Sequence, residues 1–553
     1  MQLSDFLNDL HFHIDNVRPP DMSVDWDDAP LPFKLYQGLP VVDLPSDISL
    51  PTKPGQTIRE VSGLLWYTYG LTAVCQAVLP PAEGVERMST MQLLRRYVPS
   101  GGGLYPSELY VYLKIDGLPW GIYHYDVAHH RLVCLREGNY DAYLERALGH
   151  RCLLSSCFGA VFISTLFWKN FYKYNNFSYR LQGLDAGVLI GQLLEVCKHY
   201  GYEGTVYLQF LDTALNHLLG LNAAEESVYA LVPLSHRDAA YLSNADDFRG
   251  PECETDEHLC GELPRLLHRY YLKSKKVLEY PTITAMNDAS MFHSTGSFVE
   301  AKSEPQTAPP LADRVKSPHP MKSRARRVVA LPKPGCQSQD FGGAFDTASN
   351  AVFEAACRQR YSPGLEFVPE KVSLEEVALL LWESMSSFGR PADGTVRLGE
   401  LALESGFGLS IACCIHGIDG LDDGAYIYDS EAHTLLLLRE GDHRMELQKG
   451  MSMPNVNLFQ VPLCVHLVGH RDFYQKAFCC RGYRMQQMEV GMLLQRLLLT
   501  ASAIGLEGHP LLGYDENVCD DIYDFSQSGQ TCLVQVPVGH YRKTSRFEVP
   551  LRA

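Results

Sequence analysis

Two stretches hold the residues best suited to chemistry. In "RRYVPSGGGLYPSELYVYL" (95–113), Arg96 is followed by Pro99, Ser100 and three glycines, Gly101, Gly102 and Gly103. Proline stiffens the approach and serine offers a hydroxyl. The glycines let backbone N–H groups come close to a flat or anionic ligand, although three glycines also suit a plain turn. The second stretch, "FYKYNNFSYRLQGLDAG" (171–187), carries Lys173 and Tyr174. A lysine is a base only when neutral, which burial favours by lowering its pKa from ~10.4. Neighbours in a strand point to opposite faces, so both side chains reach one pocket only from a turn or a helix entry. Asn175, Asn176 and Ser178, turn and N-cap residue types, are expected to supply that entry.

The elements that must position these residues occur twice. Tyr179–Gly204 aligns without gaps on Tyr483–Gly508, with ten identities in 26 positions. "GIYHYDVAHHRLVCLREG" (121–138) matches "GAYIYDSEAHTLLLLREG" (424–441), and "EVSGLLW" (60–66) matches "EVALLLW" (376–382). A period near three hundred residues is a tandem duplication, too long for a solenoid repeat. The copies differ where chemistry is expected. The second has Ala477–Phe478 in place of Lys173–Tyr174, and it is shorter by 13 residues in the interval that holds the Pro-Ser-Gly stretch.

Each copy reads as a helix ending at Leu-Leu-Trp, β-rich segments, a long helix (about 179–200 and 483–504) and a last strand. The long helix is apolar around most of its circumference and so belongs in an interior or interface. The expected class is α+β. The expected division is 1–285, a linker over 286–340, and 341–553. Within the linker, 301–335 is rich in Pro, Ser and basic residues and reads as an exposed tether.

With 48 Lys+Arg against 65 Asp+Glu, the net charge of −17 argues against a nucleic-acid partner. The N-terminus has no basic stretch followed by an apolar one, and no apolar run approaches the ~18 residues of a membrane span. A cytoplasmic protein is expected. Its 16 cysteines include no C-x-x-C pair and many sit in apolar segments, so reduced thiols and no metal site are expected.

Arg-x-x-Pro-Ser-Gly-Gly-x-Leu-Tyr-Pro-x-Glu-Leu-Tyr, then Gly-x-Tyr-x-Tyr-Asp, then Lys-Tyr ahead of a Tyr-Arg-x-x-x-x-Asp-Ala-Gly helix, resembles the nitroreductase-like flavoenzymes. More narrowly, it is similar to the SagB/McbC-type azoline dehydrogenases of thiazole/oxazole-modified peptide pathways. The resemblance covers most of residues 55–235, and the second copy resembles the same fold more loosely. It implies two tandem nitroreductase-like domains forming an intramolecular pseudo-dimer, with FMN between the units. It also implies a catalytic Lys-Tyr pair, a precursor peptide as substrate and a YcaO-type cyclodehydratase as partner.

In that family the phosphate arm comes from one unit and the Pro-Ser loop from the other. The first copy keeps the loop but has no arginine in "LPSDISLPTKPGQ" (44–56), whereas the second keeps "CRQRYS" (357–362) and ends "GHYRKTSRF" (539–547). One intact FMN site is therefore expected. Arg358, Arg360, Ser362 and one or more of Arg542, Lys543 and Arg546 would hold the phosphate. Arg96, Pro99, Ser100, Gly101, Gly102 and Gly103 would hold the ring. Lys173 would take the azoline Cα proton while Tyr174 relays it or orients the substrate.

Tyr179 and Arg180 recur in both copies and are expected to serve the fold or interface. Asp185, matched by Glu489, is expected to be structural. His129, His130 and His433 are expected to serve turns, and Glu108 is either a ligand contact or a solvent-facing strand residue. Two other activities fit the same residues: an oxidase of this fold acting on another peptide or carrier-bound substrate, and a flavin-free scaffold that binds peptide.

Overall fold

The computed structural model describes residues 3–51, 55–79, 89–236, 253–298, 327–333, 349–386, 409–472, 475–525, 528–543 and 547–550. Arg546 and all but the 327–333 portion of the 301–335 stretch lie outside them.

The duplication is visible as two sheets of the same design, each of seven strands, with every neighbouring pair antiparallel. In spatial order the first is Val41–Asp43, Arg131–Glu137, Gly121–Asp126, Ser107–Leu113, Gly159–Leu166, Glu226–His236 and Tyr202–Gly204. The second repeats it with Val328–Ala330, Thr434–Glu440, Gly424–Asp429, Ser410–Ile415, Leu463–His470, Gln530–Gly539 and Glu507–Gly508. With helices packed on these sheets, the class is α+β. Val328–Ala330 falls inside the span expected as linker, yet it is the edge strand of the second sheet. Arg327, expected in an exposed tether, pairs with Asp422.

The shorter second copy has kept the strand that the sequence alignment placed in the missing interval. Ser410–Ile415 occupies the place of Ser107–Leu113, pairing with the same two neighbours. The shortfall therefore falls before it, opposite the first copy's hairpin Leu71–Leu79/Ser89–Arg96 and the loop that follows. That hairpin is extended by the chain's own C-terminal strand, Phe547–Pro550, which pairs with Leu71–Leu79. The end of the second copy thus folds back onto the first.

Local chemistry starts the matching helices at the same place. Thr57 and Glu60 form a capping box at the helix Ile58–Tyr69, and Glu60 accepts from the Thr57 N–H at 3.0 Å. Ser373 and Glu376 do the same at Leu374–Ser386, with bonds of 2.7 and 3.2 Å. Each satisfies N-terminal N–H groups that a helix leaves unpaired.

The two long helices, Ser178–Tyr200 and Gln475–Ala503, cross at the centre; the first is almost wholly buried, and so is the second from Arg481 on. Gly187 makes the approach possible, because a Cβ there would collide with the Met488 carbonyl oxygen. Its match Gly491 lies against Leu184 and Val188 in the same way. Around the crossing the contacts come in related pairs. Arg180 donates to Glu516 at 2.6 Å, and its counterpart Arg484 lies 3.3 Å from Asp212. Tyr179 and Tyr483 stack across the pseudo-axis with ring centroids 6.0 Å apart. Of the two roles expected for the repeated Tyr-Arg, fold or interface, the contacts show the interface, and the repeated glycine joins it. His130 and His433 also act as a pair: both have φ 53° and both bond a tyrosine hydroxyl, Tyr125 and Tyr428, at 2.8 Å.

Candidate active site

Lys173 and Tyr174 close the helix Trp168–Tyr174, and the next residue, Asn175, has φ 50° and ψ −140°. A left-handed φ at a non-glycine residue is costly and asparagine bears it best. Cys479, at the matching place in the second copy, has φ 50° and ψ −132°. The turn therefore belongs to the fold, while the Lys-Tyr pair belongs to one copy. Ser178 is not an N-cap; it is the first residue of the next helix, entered through a short 3-10 turn over Asn175–Phe177.

Because the pair sits at a helix end and not in a strand, both side chains reach one spot. That spot is Gly102, whose φ is +65°. A Cβ there would stand 2.5 Å from Lys173 Nζ and 2.5 Å from Tyr174 OH. The backbone there favours glycine, and a side chain would have to displace the Lys173 and Tyr174 tips. Burial, with Arg18 as a second cause, lowers the Lys173 pKa to about 8. Burial raises that of Tyr174 to about 12, so its phenol stays protonated. Lysine neutral near pH 8 beside a protonated phenol is a base next to a hydrogen-bond donor.

The loop hangs from the long helix. Ser100 Oγ donates to Asp185 at 2.6 Å and accepts from the Tyr105 N–H at 2.8 Å, while the Gly101 N–H reaches Asp185 at 3.2 Å. Asp185 is thus structural as expected, and what it holds is the glycine loop. Burial raises its pKa to about 7 against the pull of those two hydrogen bonds. Gly101 lies against Leu181 of the same helix, and Pro99 is half-buried at the start of the loop.

Arg96 lies buried between Tyr69 and Tyr105, at 3.9 and 4.7 Å from the ring centres, and donates to the Pro32 carbonyl at 2.6 Å. Its Nε and Nη1 are buried without a hydrogen-bond partner among the described residues. Glu108 is not solvent-facing. It is buried against Lys169, with which it pairs, and His124 at 2.9 Å. Burial pushes its pKa up, but these two neighbours outweigh that and bring it to about 2.

The second copy delivers its basic residues to this loop. Arg360, buried, donates from Nε to the Tyr97 carbonyl at 3.0 Å, and Arg95 donates to the Arg360 carbonyl at 2.9 Å. Arg358 is half-exposed and pairs with Glu354 at 3.0 Å, which in turn accepts from Tyr67 of the first copy at 2.9 Å. Arg95 covers the Tyr361 ring at 5.3 Å, and Tyr541 faces the same ring at 5.7 Å. Ser362 follows Tyr361, and the exposed Arg542 and Lys543 follow Tyr541. Two sequence segments, 358–362 and 541–543, thus converge beside Arg95, which the sequence reading passed over for Arg96. Alternation along the strand Ser89–Arg96 sends these arginines to opposite faces, so only Arg95 can meet the arm.

A planar cofactor with an anionic arm fits these residues. The glycine loop has no side chain in the way, two nitrogens of Arg96 are orphaned, and a cluster of cations lies at the junction of the copies. Among the described residues no group of side chains has the arrangement of a metal site, and no helix is long and apolar enough to cross a membrane.

A crystal structure described as a nitroreductase from Anabaena variabilis superposes with a TM-score of 0.72 at 20% identity, over 98% of this chain and 99% of that one. The chain has the nitroreductase fold, in tandem. No family model matches it. In sequence it is similar to the trifolitoxin-processing protein TfxB of Rhizobium leguminosarum bv. trifolii, 28% identical over 163 residues. That match covers 28% of this chain and spans less than half of the relative, 44%. The E. coli microcin synthetase McbBCD complex with truncated pro-MccB17 bound aligns over 35% of this chain and 69% of that one. Its identity is 22% and its TM-score 0.26. The SagB/McbC-type resemblance of this nitroreductase-fold chain therefore rests on its motifs and on the TfxB match.

Proposed function

We propose that this nitroreductase-fold chain is an FMN-dependent dehydrogenase that converts azolines to azoles in a ribosomally made peptide. The observation that carries the reading is the convergence of Lys173 Nζ and Tyr174 OH on the side-chain-free face of Gly102. The similarity to a toxin-processing protein supports a peptide as substrate.

Arg96, Pro99, Ser100 and Gly101–Gly103 would hold the ring system. Arg358, Arg360, Ser362, Arg542 and Lys543 would hold the phosphate, joined by Arg95. Bound FMN would accept the hydride from the azoline Cβ, with dioxygen as final oxidant. Neutral Lys173 takes the proton from Cα, which the ring C=N and the adjacent carbonyl acidify. The electron pair left behind becomes the new ring double bond as the Cβ hydride departs, so the peptide loses two hydrogens. Tyr174, protonated, donates a hydrogen bond that orients the ring or passes on the proton. A positioned base contributes ~10²–10⁴-fold. The azoline would come from a YcaO-type cyclodehydratase acting on the same precursor peptide.

Mass spectrometry of a cyclised peptide incubated with the purified flavoprotein tests this directly. The expected result is loss of two hydrogens per azoline, abolished in Lys173→Ala with flavin retained. A flavin-loaded protein that leaves azolines unchanged would defeat the proposal. A colourless protein that binds the peptide would favour the scaffold.

A further inference from the structure

Lys173 shares the Tyr174 ring with a second cation. Its Nζ lies 4.9 Å from the ring centre, and the Arg18 guanidinium lies 5.3 Å from it. Arg18 lies outside every sequence block that carries the family resemblance. It is brought there by the N-terminal helices Leu3–Phe12 and Ile14–Val17, and its own N–H caps the second on the Ile14 carbonyl at 2.8 Å.

Those helices are anchored on the junction of the two copies. Phe6 packs on Tyr179 with centroids 6.1 Å apart, His11 bonds the Tyr483 hydroxyl at 2.9 Å, and the Leu10 carbonyl accepts from Arg180 at 3.0 Å. Val17, immediately before Arg18, is buried, and Pro19–Pro20 stiffen the exit. The position of the guanidinium is therefore set by the pseudo-dimer itself.

We propose that Arg18 is a positioning residue that eases loss of the Lys173 proton by fixing a permanent cation on the ring that Lys173 also covers. The inference rests on the base role given to Lys173 above. An arginine does not lose its proton in a protein, so of two adjacent cations only the lysine can relieve the repulsion. Among the described residues the following groups neighbour Lys173. Its own helix offers Tyr172 and Tyr174, the N-terminal segment offers Arg18 and the Trp26 ring, and the glycine loop offers no charge. The helix Ser178–Tyr200 offers Asp185, which is turned to Ser100 and Gly101. Among the described residues no carboxylate forms an ion pair with either cation. Trp26, 5.2 Å from Nζ, favours the charged form and so works against Arg18. The Lys173 pKa is lowered, first by burial and next by Arg18.

The test is the pH dependence of Lys173 acetylation by trace acetic anhydride, followed by mass spectrometry on the full-length flavoprotein. In Arg18→Gln the midpoint should move up, making labelling at pH 7 roughly threefold to tenfold slower. Arg18→Lys, whose cation can itself give up its proton, should leave the midpoint between those of the natural protein and Arg18→Gln. An unchanged midpoint in Arg18→Gln would overturn the proposal. No peptide substrate is needed, so the result stands apart from the azoline reading. If the labelling midpoint moved while the pH profile of azole formation did not, Lys173 would not be the base and the role of Arg18 would remain.

Discussion

Ser100 donates a hydrogen bond to Asp185 at 2.6 Å, tying the glycine loop of the first copy to the helix that crosses into the second. The loop that would carry the cofactor and the helix that makes the pseudo-dimer are therefore one mechanical unit. A change at the interface is expected to reach the glycine loop.

Asp185→Asn should loosen that tie. The Asp185 carboxyl titrates near 7, above its ordinary value, because burial disfavours the charge. The folded protein then holds a proton that the unfolded chain has released. Its contribution to stability is complete below the ordinary carboxylate range and is lost as pH rises through about 7. Thermal melts across pH 5–8 should show the natural protein losing stability with rising pH. Asp185→Asn should flatten that slope and weaken flavin retention. An identical slope in the variant would remove Asp185 from this account.

Lys173 predicts an acid limb in the activity profile. A base is active when deprotonated, so azole formation should increase as pH rises through about 8. Lys173→Ala should lose ~10²–10⁴-fold in rate. Lys173→Arg should not recover it, since a guanidinium stays charged. Steady-state rates from pH 6 to 10 check both points.

The two arginines of the second copy should behave differently. Arg360 is buried against the Tyr97 carbonyl, so Arg360→Ala should cost about 1.5–3 kcal/mol and release flavin. Arg358 is half-exposed and paired with Glu354, so Arg358→Ala should cost no more than about 1 kcal/mol. Flavin titration of both variants decides the order. The same titration should saturate near one flavin per chain.

Gly187→Ala should be severely destabilising, by at least about 2 kcal/mol, because its Cβ meets the Met488 carbonyl across the helix crossing. Gly261→Ala is the control: it lies in the helix Asp256–Glu262 with open space around it, and should change little or stabilise by up to about 1 kcal/mol. Chemical denaturation of the two variants measures the contrast.

Much of this was legible in the chain. The repeated Tyr-Arg pointed to the fold or an interface, and the structure shows Tyr179 stacked on Tyr483 across the two copies; the role of Gly187 in admitting Met488 was not read from the chain. The all-round apolar helix was legible as buried, since such a helix has no face to give to water. The partners of Arg180 were not, because Glu516 is 336 residues away and a buried charge does not announce its counter-ion. Glu108 was left between a ligand contact and a solvent-facing residue, because strand alternation names two faces without saying that both are covered. Arg95 was overlooked beside Arg96, although alternation could have separated them.

The sequence by itself determined that the chain is duplicated, and which copy bears Lys173–Tyr174 and the Pro-Ser-Gly loop. These follow from local spacing and residue type. Only the tertiary structure decided that Lys173 and Tyr174 meet at Gly102, that Asp185 carries the loop, and that Arg360 crosses to Tyr97. It also brought Arg18 onto the Tyr174 ring. Each of these joins residues far apart in the chain, and burial at the junction of the two copies is what gives their charges and hydrogen bonds their strength.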